Sequence, residues 1–237
     1  MKKILSLILA VIMLAAALTG CAGTVIPADT DARPSGTKSA DTDEHGSSGE
    51  HGGGSHTADG IENVPVGEKF TFGSWEQDGN KSNGAERISW IVLKQDVGKV
   101  FVLSEKILEY DYFMKPTESE QFPRGLYKDS DLRKFLIGEF YENAFTDGEK
   151  SMILSSKITT KYRDESFNDL TFDTEDKVFA LSKDEAARYV CGVGTYLFAL
   201  PTDAVNEANP YAMNSISGVP GVEKSMSWWL RDMGGET

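Results

Sequence analysis

Between Ala22 and Gly60 the chain carries Gly, Ser, Thr, Asp, Pro and His, with almost no large apolar side chain beyond Val25 and Ile26. A stretch of that composition cannot bury enough surface to offset the entropy of ordering it. It therefore splits the sequence into an apolar N-terminal run, a flexible tether, and residues 61–237. Every Phe, Trp and Tyr lies after Ile61, so the last part alone has the length and aromatic content for a core. There is no internal repeat. The tether's r.m.s. reach is on the order of 35 Å, enough to hold a folded domain away from whatever the N-terminus is fixed to.

The N-terminus has the three parts of an export signal: Lys2-Lys3, an apolar run from Ile4 to Leu18, and the small residues Thr19-Gly20 before Cys21. The run is shorter than the ~20 residues a membrane-crossing helix needs, which favours cleavage over retention. Leu18-Thr19-Gly20-Cys21 resembles the lipobox of bacterial lipoproteins. That resemblance implies that Cys21 is lipid-modified, with palmitate-type acyl chains, and becomes the mature N-terminus, anchored to the outer face of the cell membrane. The alternative is a plain secretory signal followed by an unrelated cysteine. Two acyl chains make a stable anchor, because each buried CH₂ contributes ~0.8 kcal/mol and one chain binds only reversibly.

Charge and residue counts then remove several functional classes. Residues 1–60 hold seven acids and four bases, leaving 30 acids and 20 bases for residues 61–237. An acidic domain gains nothing from phosphate backbones or anionic headgroups, so nucleic acid and peripheral membrane binding are disfavoured. The three histidines, His45, His51 and His56, all lie in the tether. They could chelate a metal transiently, but no scaffold there sets a coordination geometry, and solvated linker residues are the simpler reading. With no histidine from Ile61 to Thr237, those residues supply no Ser-His-Asp triad, Cys-His pair or His-ligated zinc. Cys191, the second of two cysteines, has no partner for an intramolecular disulfide once Cys21 is acylated, and its apolar neighbours suit an inert buried thiol. No cofactor is expected.

The domain opens with three β-type segments, Lys69 to Trp75, Ile88 to Lys94 and Lys99 to Glu105. Asp78 to Gly84 between the first two superficially resembles a calcium loop. Its glycine is displaced and Ser89 stands where the twelfth-position glutamate belongs, so a polar hairpin loop is expected. Gln95 to Gly98 reads as a tight antiparallel connection. Leu132, Phe135, Leu136 and Phe140 make one apolar stripe on a helix over about 130–143. Thr146-Asp147-Gly148-Glu149 and Ser182-Lys183-Asp184-Glu185 are capping boxes that open two more helices, the second following a β segment from Asp176 to Leu181. Residues 191–225 read as long loops with a short helix after Thr202, and Ser225 to Asp232 as a final strand. Strands and helices do not alternate regularly, which predicts an α+β fold, a small mixed or antiparallel sheet with two or three short helices.

Several segments together, Phe72-Gly73-Ser74-Trp75-Glu76-Gln77-Asp78, Ile88 to Leu93, Val102-Leu103-Ser104, Ser130 to Leu136, Ala144-Phe145-Thr146, Thr174 to Ser182 and Trp228-Trp229-Leu230-Arg231, resemble a family of uncharacterised bacterial surface domains. Their order and spacing agree over about residues 66–232. The resemblance implies a fold akin to C-type lectin-like domains and implies no known reaction. Members continue past the Trp-Trp-Leu-Arg segment to a closing strand, which this sequence does not show. The expectation is a chain lacking its C-terminal part, with a sheet edge left unpaired.

In a strand, Trp228 and Trp229 point to opposite faces, so one is available to a ligand beside Arg231 and Asp232, with Trp75 a further partly exposed ring. The competing reading buries both rings and pairs Arg231 internally. Paired carboxylates for acid/base work are plentiful in sequence but not demonstrably placed across a cleft. Three functional classes stay open: a non-catalytic surface module recognising a glycan or protein; an enzyme, either a carboxylate hydrolase or a relative of formylglycine-generating oxidases; and a structural or degenerate surface protein. The oxidase version is weakened by the single available cysteine, and recognition is the preferred reading.

Overall fold

The computed structural model describes residues 6–8, 11–15, 60–117, 119, 125–163, 168–190, 199–208 and 228–232. Cys21, His45, His51 and His56 of the tether, Cys191, and much of residues 191–225 lie outside the described residues. Residues Met1–Ala17 and Ser55–Thr237 belong to one compact unit.

Its main sheet has five antiparallel strands, spatially ordered β3 (Lys69–Trp75), β4 (Glu86–Asp96), β5 (Lys99–Ser104), β2 (Val11–Ala15) and β9 (Val178–Phe179). A two-stranded sheet pairs β1 (Ser6–Ile8) with β6 (Glu109–Asp111), and a second pairs β7 (Ser156–Arg163) with β8 (Asp169–Asp176). With a few short helices, the fold is α+β, as its irregular element order predicts.

Two features of the sheet went beyond the sequence reading. The apolar run identified as an export leader supplies β1 and β2, and β2 sits between β5 and β9. The β7–β8 hairpin is likewise not marked by any alternating apolar pattern. By contrast, β3, β4 and β5 fall where alternation placed them, and β4 turns into β5 through Val97-Gly98, with Asp96 opposite Lys99. The expected β segment from Asp176 to Leu181 shortens to β9, since Asp176 still belongs to β8.

The predicted first helix is continuous from Asp131 to Ala144: α1 (Asp131–Phe135), a π-type turn (Leu136–Phe140) and α2 (Tyr141–Ala144). Ser130 caps it by accepting from the Arg133 amide at 3.0 Å. Leu132, Leu136 and Phe140 are buried and Phe135 packs against them at the margin. Both capping boxes form, opening α3 (Asp147–Met152) and α4 (Lys183–Glu185), the latter extended by a π-type turn to Val190. The helix after Thr202 is α5 (Asp203–Ala208). Arg133 ties the first helix to β8 through a fork onto Asp176, with Nε 3.0 Å from both carboxylate oxygens and Nη2 2.6 Å from Oδ1. The Asp176 side chain is completely enclosed, so the bidentate geometry is what offsets its lost hydration.

The core between sheet and helices is aromatic. Trp90 is 0% exposed and its indole donates to the Phe72 carbonyl at 2.6 Å, so even the one polar atom of this ring is satisfied. Gly73 marks where β3 bulges against β4, the register shifting between Thr71 and Ser74. Its φ is +69°, and a Cβ there would lie 2.5 Å from the Phe145 ring and 2.8 Å from the Ala144 carbonyl oxygen. The bare backbone is thus what lets Phe145 close over the sheet. Gly73→Ala should cost about 2–4 kcal/mol from combined backbone strain and overpacking, measured as a lowered urea midpoint.

The Gly73 amide donates to Glu149 Oε1 at 3.0 Å, and Arg87 reaches the same oxygen at 2.9 Å, so the α3 cap also pins the bulge. Burial raises the Glu149 carboxyl, but hydrogen bonds from the Thr146 and Gly73 amides and from Arg87 outweigh it and hold the group below its ordinary value. A depressed folded pKa contributes stability that is full above the unfolded value of about 4.3 and drains as pH falls through the lower folded value. In acid titration followed by urea melts, Glu149→Gln should lower stability at neutral pH and flatten the fall below about pH 4.

Candidate functional site

The C-terminal described segment does not continue as a regular strand. Trp228 makes a single bridge, Trp229 and Leu230 are irregular, and Arg231-Asp232 turn. The reason lies in what the last two residues hold. The Arg231 amide donates to the Leu181 carbonyl at 2.9 Å, and its guanidinium, only 4% exposed, reaches back beneath α4. Nη1 donates to the Ala180 carbonyl at 2.8 Å and to Glu185 Oε2, while Nη2 donates to Glu185 Oε1 at 2.8 Å and to the Thr159 carbonyl at 3.5 Å. Glu185 Oε2 also accepts from the Ser182 amide at 3.0 Å, so one carboxylate serves the capping box and the arginine together. Asp232 accepts from the Lys183 amide with both oxygens at 3.0 Å, at the first turn of α4. Burial pushes its carboxyl above the ordinary value, against the Lys183 amide and the charges of Arg231 and Lys183.

The other sequence-predicted residues divide between core margin and edge. Trp228 and Trp229 are both half-buried against the core, and Trp229 meets Phe113 edge-on at 5.3 Å. Their indole nitrogens are buried, with no hydrogen-bond partner among the described residues. Trp75 is half-buried, packed on Phe135 and Phe140 and donating to Glu109 at 3.3 Å. Arg231, Asp232, Trp228 and Trp229 are therefore brought together, and Trp75 is not part of that group. No sequence signal paired Arg231 with Glu185, 46 positions apart, although the capping box had already marked Glu185.

Two clefts open beside the clamp. One, of about 310 Å³, lies over β5 and β9 and is walled by Phe101, Tyr189, Lys99, Glu185 and Arg231. Tyr189 stands edge-on to Phe101 at 5.5 Å. Its carboxylates are occupied: Asp96 pairs with Lys94 at 2.6 Å, and Glu185 with Arg231. The other, shallower and about 520 Å³, lies between the β7–β8 hairpin and α4, with Lys161, Arg163, Asp169, Asp184 and Asp232 on its walls. There too the charges pair across the rim, Lys161 with Asp184 at 2.6 Å and Arg163 with Asp169 at 2.8 Å.

Glu76, Asp78 and Glu86 form a separate carboxylate group, with one oxygen from each within 4.8 Å of the others. Glu86 accepts from the Gln77 amide at 2.7 Å, and Asp78 accepts from the Asn80 amide and the Asn83 side chain, both at 2.7 Å. Burial, the Glu86 charge and a hydrogen bond to Asp78 raise the Glu76 carboxyl. The trio closes the β3–β4 hairpin loop on itself: Glu86 and Asp78 accept from the loop's own donors, whereas Glu76 Oε1 is buried without a partner among the described residues.

Residues 97–237, more than half the chain, match a family described as a domain of unknown function (DUF6273). The chain belongs to this family. The DUF6273 match begins at the β4–β5 turn and runs through Arg231 and Asp232, so the clamp lies wholly within it. No curated protein and no solved structure matches the chain. Among the described residues, no helix is long and apolar enough to cross a membrane.

Glu185 keeps 27% of its side chain in solvent whereas Arg231 keeps almost none. Arg231→Ala would strand that carboxylate beneath α4 and should cost about 2–3 kcal/mol, short of the 3–5 typical of fully enclosed pairs. Replacing both partners, Arg231→Met with Glu185→Leu, should recover part of the loss in the same denaturation assay.

Proposed function

We infer that this DUF6273 chain is a surface-anchored lipoprotein, tethered through Cys21 on the extracytoplasmic face of the membrane, whose domain recognises a glycan or protein without catalysing a reaction. The observation that carries the recognition reading is the state of the carboxylates. Acid/base chemistry needs a carboxyl group free to take or give a proton, and both carboxylates at the Phe101–Tyr189 cleft are held in ion pairs. What the cleft offers instead is the half-buried Tyr189 ring, set at 73° to the buried Phe101 beneath it, with Lys99 at the rim, a surface for stacking on one ring and for hydrogen bonding. Arg231 and Asp232 act here as scaffold, fixing α4 and hence Tyr189, instead of touching ligand. The lectin-like fold that the sequence's resemblance to uncharacterised surface domains implies would suit this reading.

Two measurements test it. Radiolabelled palmitate should enter the wild-type chain expressed in a bacterial host and be absent from Cys21→Ser. The processed chain, beginning at residue 21 with Cys21→Ser, should bind saturably on an array of cell-surface glycans and secreted proteins, and Tyr189→Ala should weaken binding by about tenfold or more. Silence across both halves of the array sinks the recognition reading and leaves a structural role.

A further inference from the structure

The Phe101–Tyr189 cleft runs against the charge of the domain around it. Residues 61–237 carry 30 acids and 20 bases, yet the cleft is lined by Lys94, Lys99, Lys157 and Arg231 against only Asp96 and Glu185. Three of the four cations are committed. Lys94 pairs with Asp96 at 2.6 Å, Lys157 with Asp173 at 2.8 Å, and Arg231 with Glu185.

Lys99 is the exception. Its ammonium makes no ion pair among the described residues, although Asp96 stands directly across the β4–β5 ladder from it and turns to Lys94 instead. Lys81 and Lys106 also lack an ion pair there, but both are exposed, whereas Lys99 is half-buried in the cleft wall. A lysine with its stem partly covered keeps its charged head at the water boundary. An anion arriving at Lys99 therefore replaces water and displaces no carboxylate. Beside it the half-buried Tyr189 offers ring surface for stacking and a hydroxyl that can donate or accept. The space of about 310 Å³ lies at the lower end of small-ligand sites, ~300–1,000 Å³. The backbone of β5 is committed on both edges, to β4 and β2, so it offers no free ladder to an extended peptide. A ligand at β5 is read by side chains, as a ring to stack and an anion to pair.

We propose that the Phe101–Tyr189 cleft binds an acidic sugar, a pyranose bearing a carboxylate such as a uronic or sialic acid residue of a cell-surface glycan, with its ring against Tyr189 and its carboxylate on Lys99. This rests on the recognition reading and narrows its ligand from glycan or protein to a carboxylated glycan. Lys99 sets specificity and Tyr189 anchors the ring, so the two contribute differently: removing the ring weakens any sugar, and neutralising the lysine weakens only acidic ones. The acidity of the rest of the domain repels a long polyanion, which favours an isolated acidic residue on an otherwise neutral glycan.

Calorimetric titration of the full chain, purified from a bacterial host in non-ionic detergent, tests this with sialyllactose and digalacturonic acid against their methyl esters, which keep every ring and lose only the charge. At least one acid should bind saturably, about tenfold or more tighter than its ester, and should weaken as salt is added. Lys99→Gln should remove that margin while leaving ester binding and the urea midpoint unchanged, and Lys99→Arg, which keeps the charge, should retain it. Tyr189→Ala should weaken acid and ester together, and Lys106→Gln, outside the cleft, should change neither. Equal binding of acid and ester, a preference for the acid that survives Lys99→Gln, or no binding of either acid overturns the proposal. So does tighter binding of an oligoglutamate peptide than of both sugar acids, which points to an acidic protein. If the sugar acids fail while neutral glycans or proteins still bind in a Tyr189-dependent way, the recognition reading stands and only the acidic-sugar inference falls.

Discussion

A buried sheet cannot leave a row of backbone amides without partners, and the arrangement around β2 follows from that constraint. Each unpaired N–H or C=O carries a desolvation penalty comparable to a lost hydrogen bond, and a strand's worth of them exceeds what a small domain can spare. The space between β5 and β9 is filled by β2, whose backbone pairs with both. The main sheet's remaining pairings are ordinary hairpin neighbours, β3 with β4 and β4 with β5, and these need no long-range closure.

Local chemistry made the helices legible. Ser130, Thr146 and Ser182 announce three helix starts because a capping hydroxyl acts within one turn and owes nothing to the rest of the fold. The apolar stripe of Leu132, Leu136 and Phe140 is equally local, and the π-type turn inside it leaves the same face inward. The β7–β8 hairpin was opaque for the opposite reason. Along Ser156–Arg163 only Ile158 and Thr160 are buried, so the strand shows too few apolar positions for period-two alternation to stand out. It is stabilised from outside the pattern, by cross-strand pairs such as Thr159 with Asp173 and Arg163 with Asp169.

The N-terminal run shows a different limit. Length, flanking lysines and the cysteine give Ile4 to Leu18 the pattern of a leader, and nothing in a continuous apolar segment distinguishes an export signal from an interior strand. Both demand the same residues. Which one operates would depend on whether the chain is processed at Cys21, as proposed, and the pattern of side chains does not carry that outcome.

The candidate site was half legible for a reason that bears on how it works. Arg231 and Asp232 stand out in sequence as charges beside two tryptophans, an arrangement that suggests display. In the fold their charges are turned inward, onto Glu185 and the Lys183 amide, where they add to the Ser182–Glu185 capping box at the start of a helix only one turn long before its π-type continuation. The arginine fork and the aspartate together fix the orientation of that turn, and Tyr189 rides on the π-type turn that continues it. The geometry of the Phe101–Tyr189 cleft is thus set from beneath, by a clamp at the far end of the sequence acting on a helix that forms the wall. The same clamp reaches the Thr159 carbonyl of β7, so sheet, hairpin and cleft wall share one buried guanidinium. A ligand entering over β5, as proposed, would meet a wall whose position is already settled and would spend none of its binding free energy on ordering it.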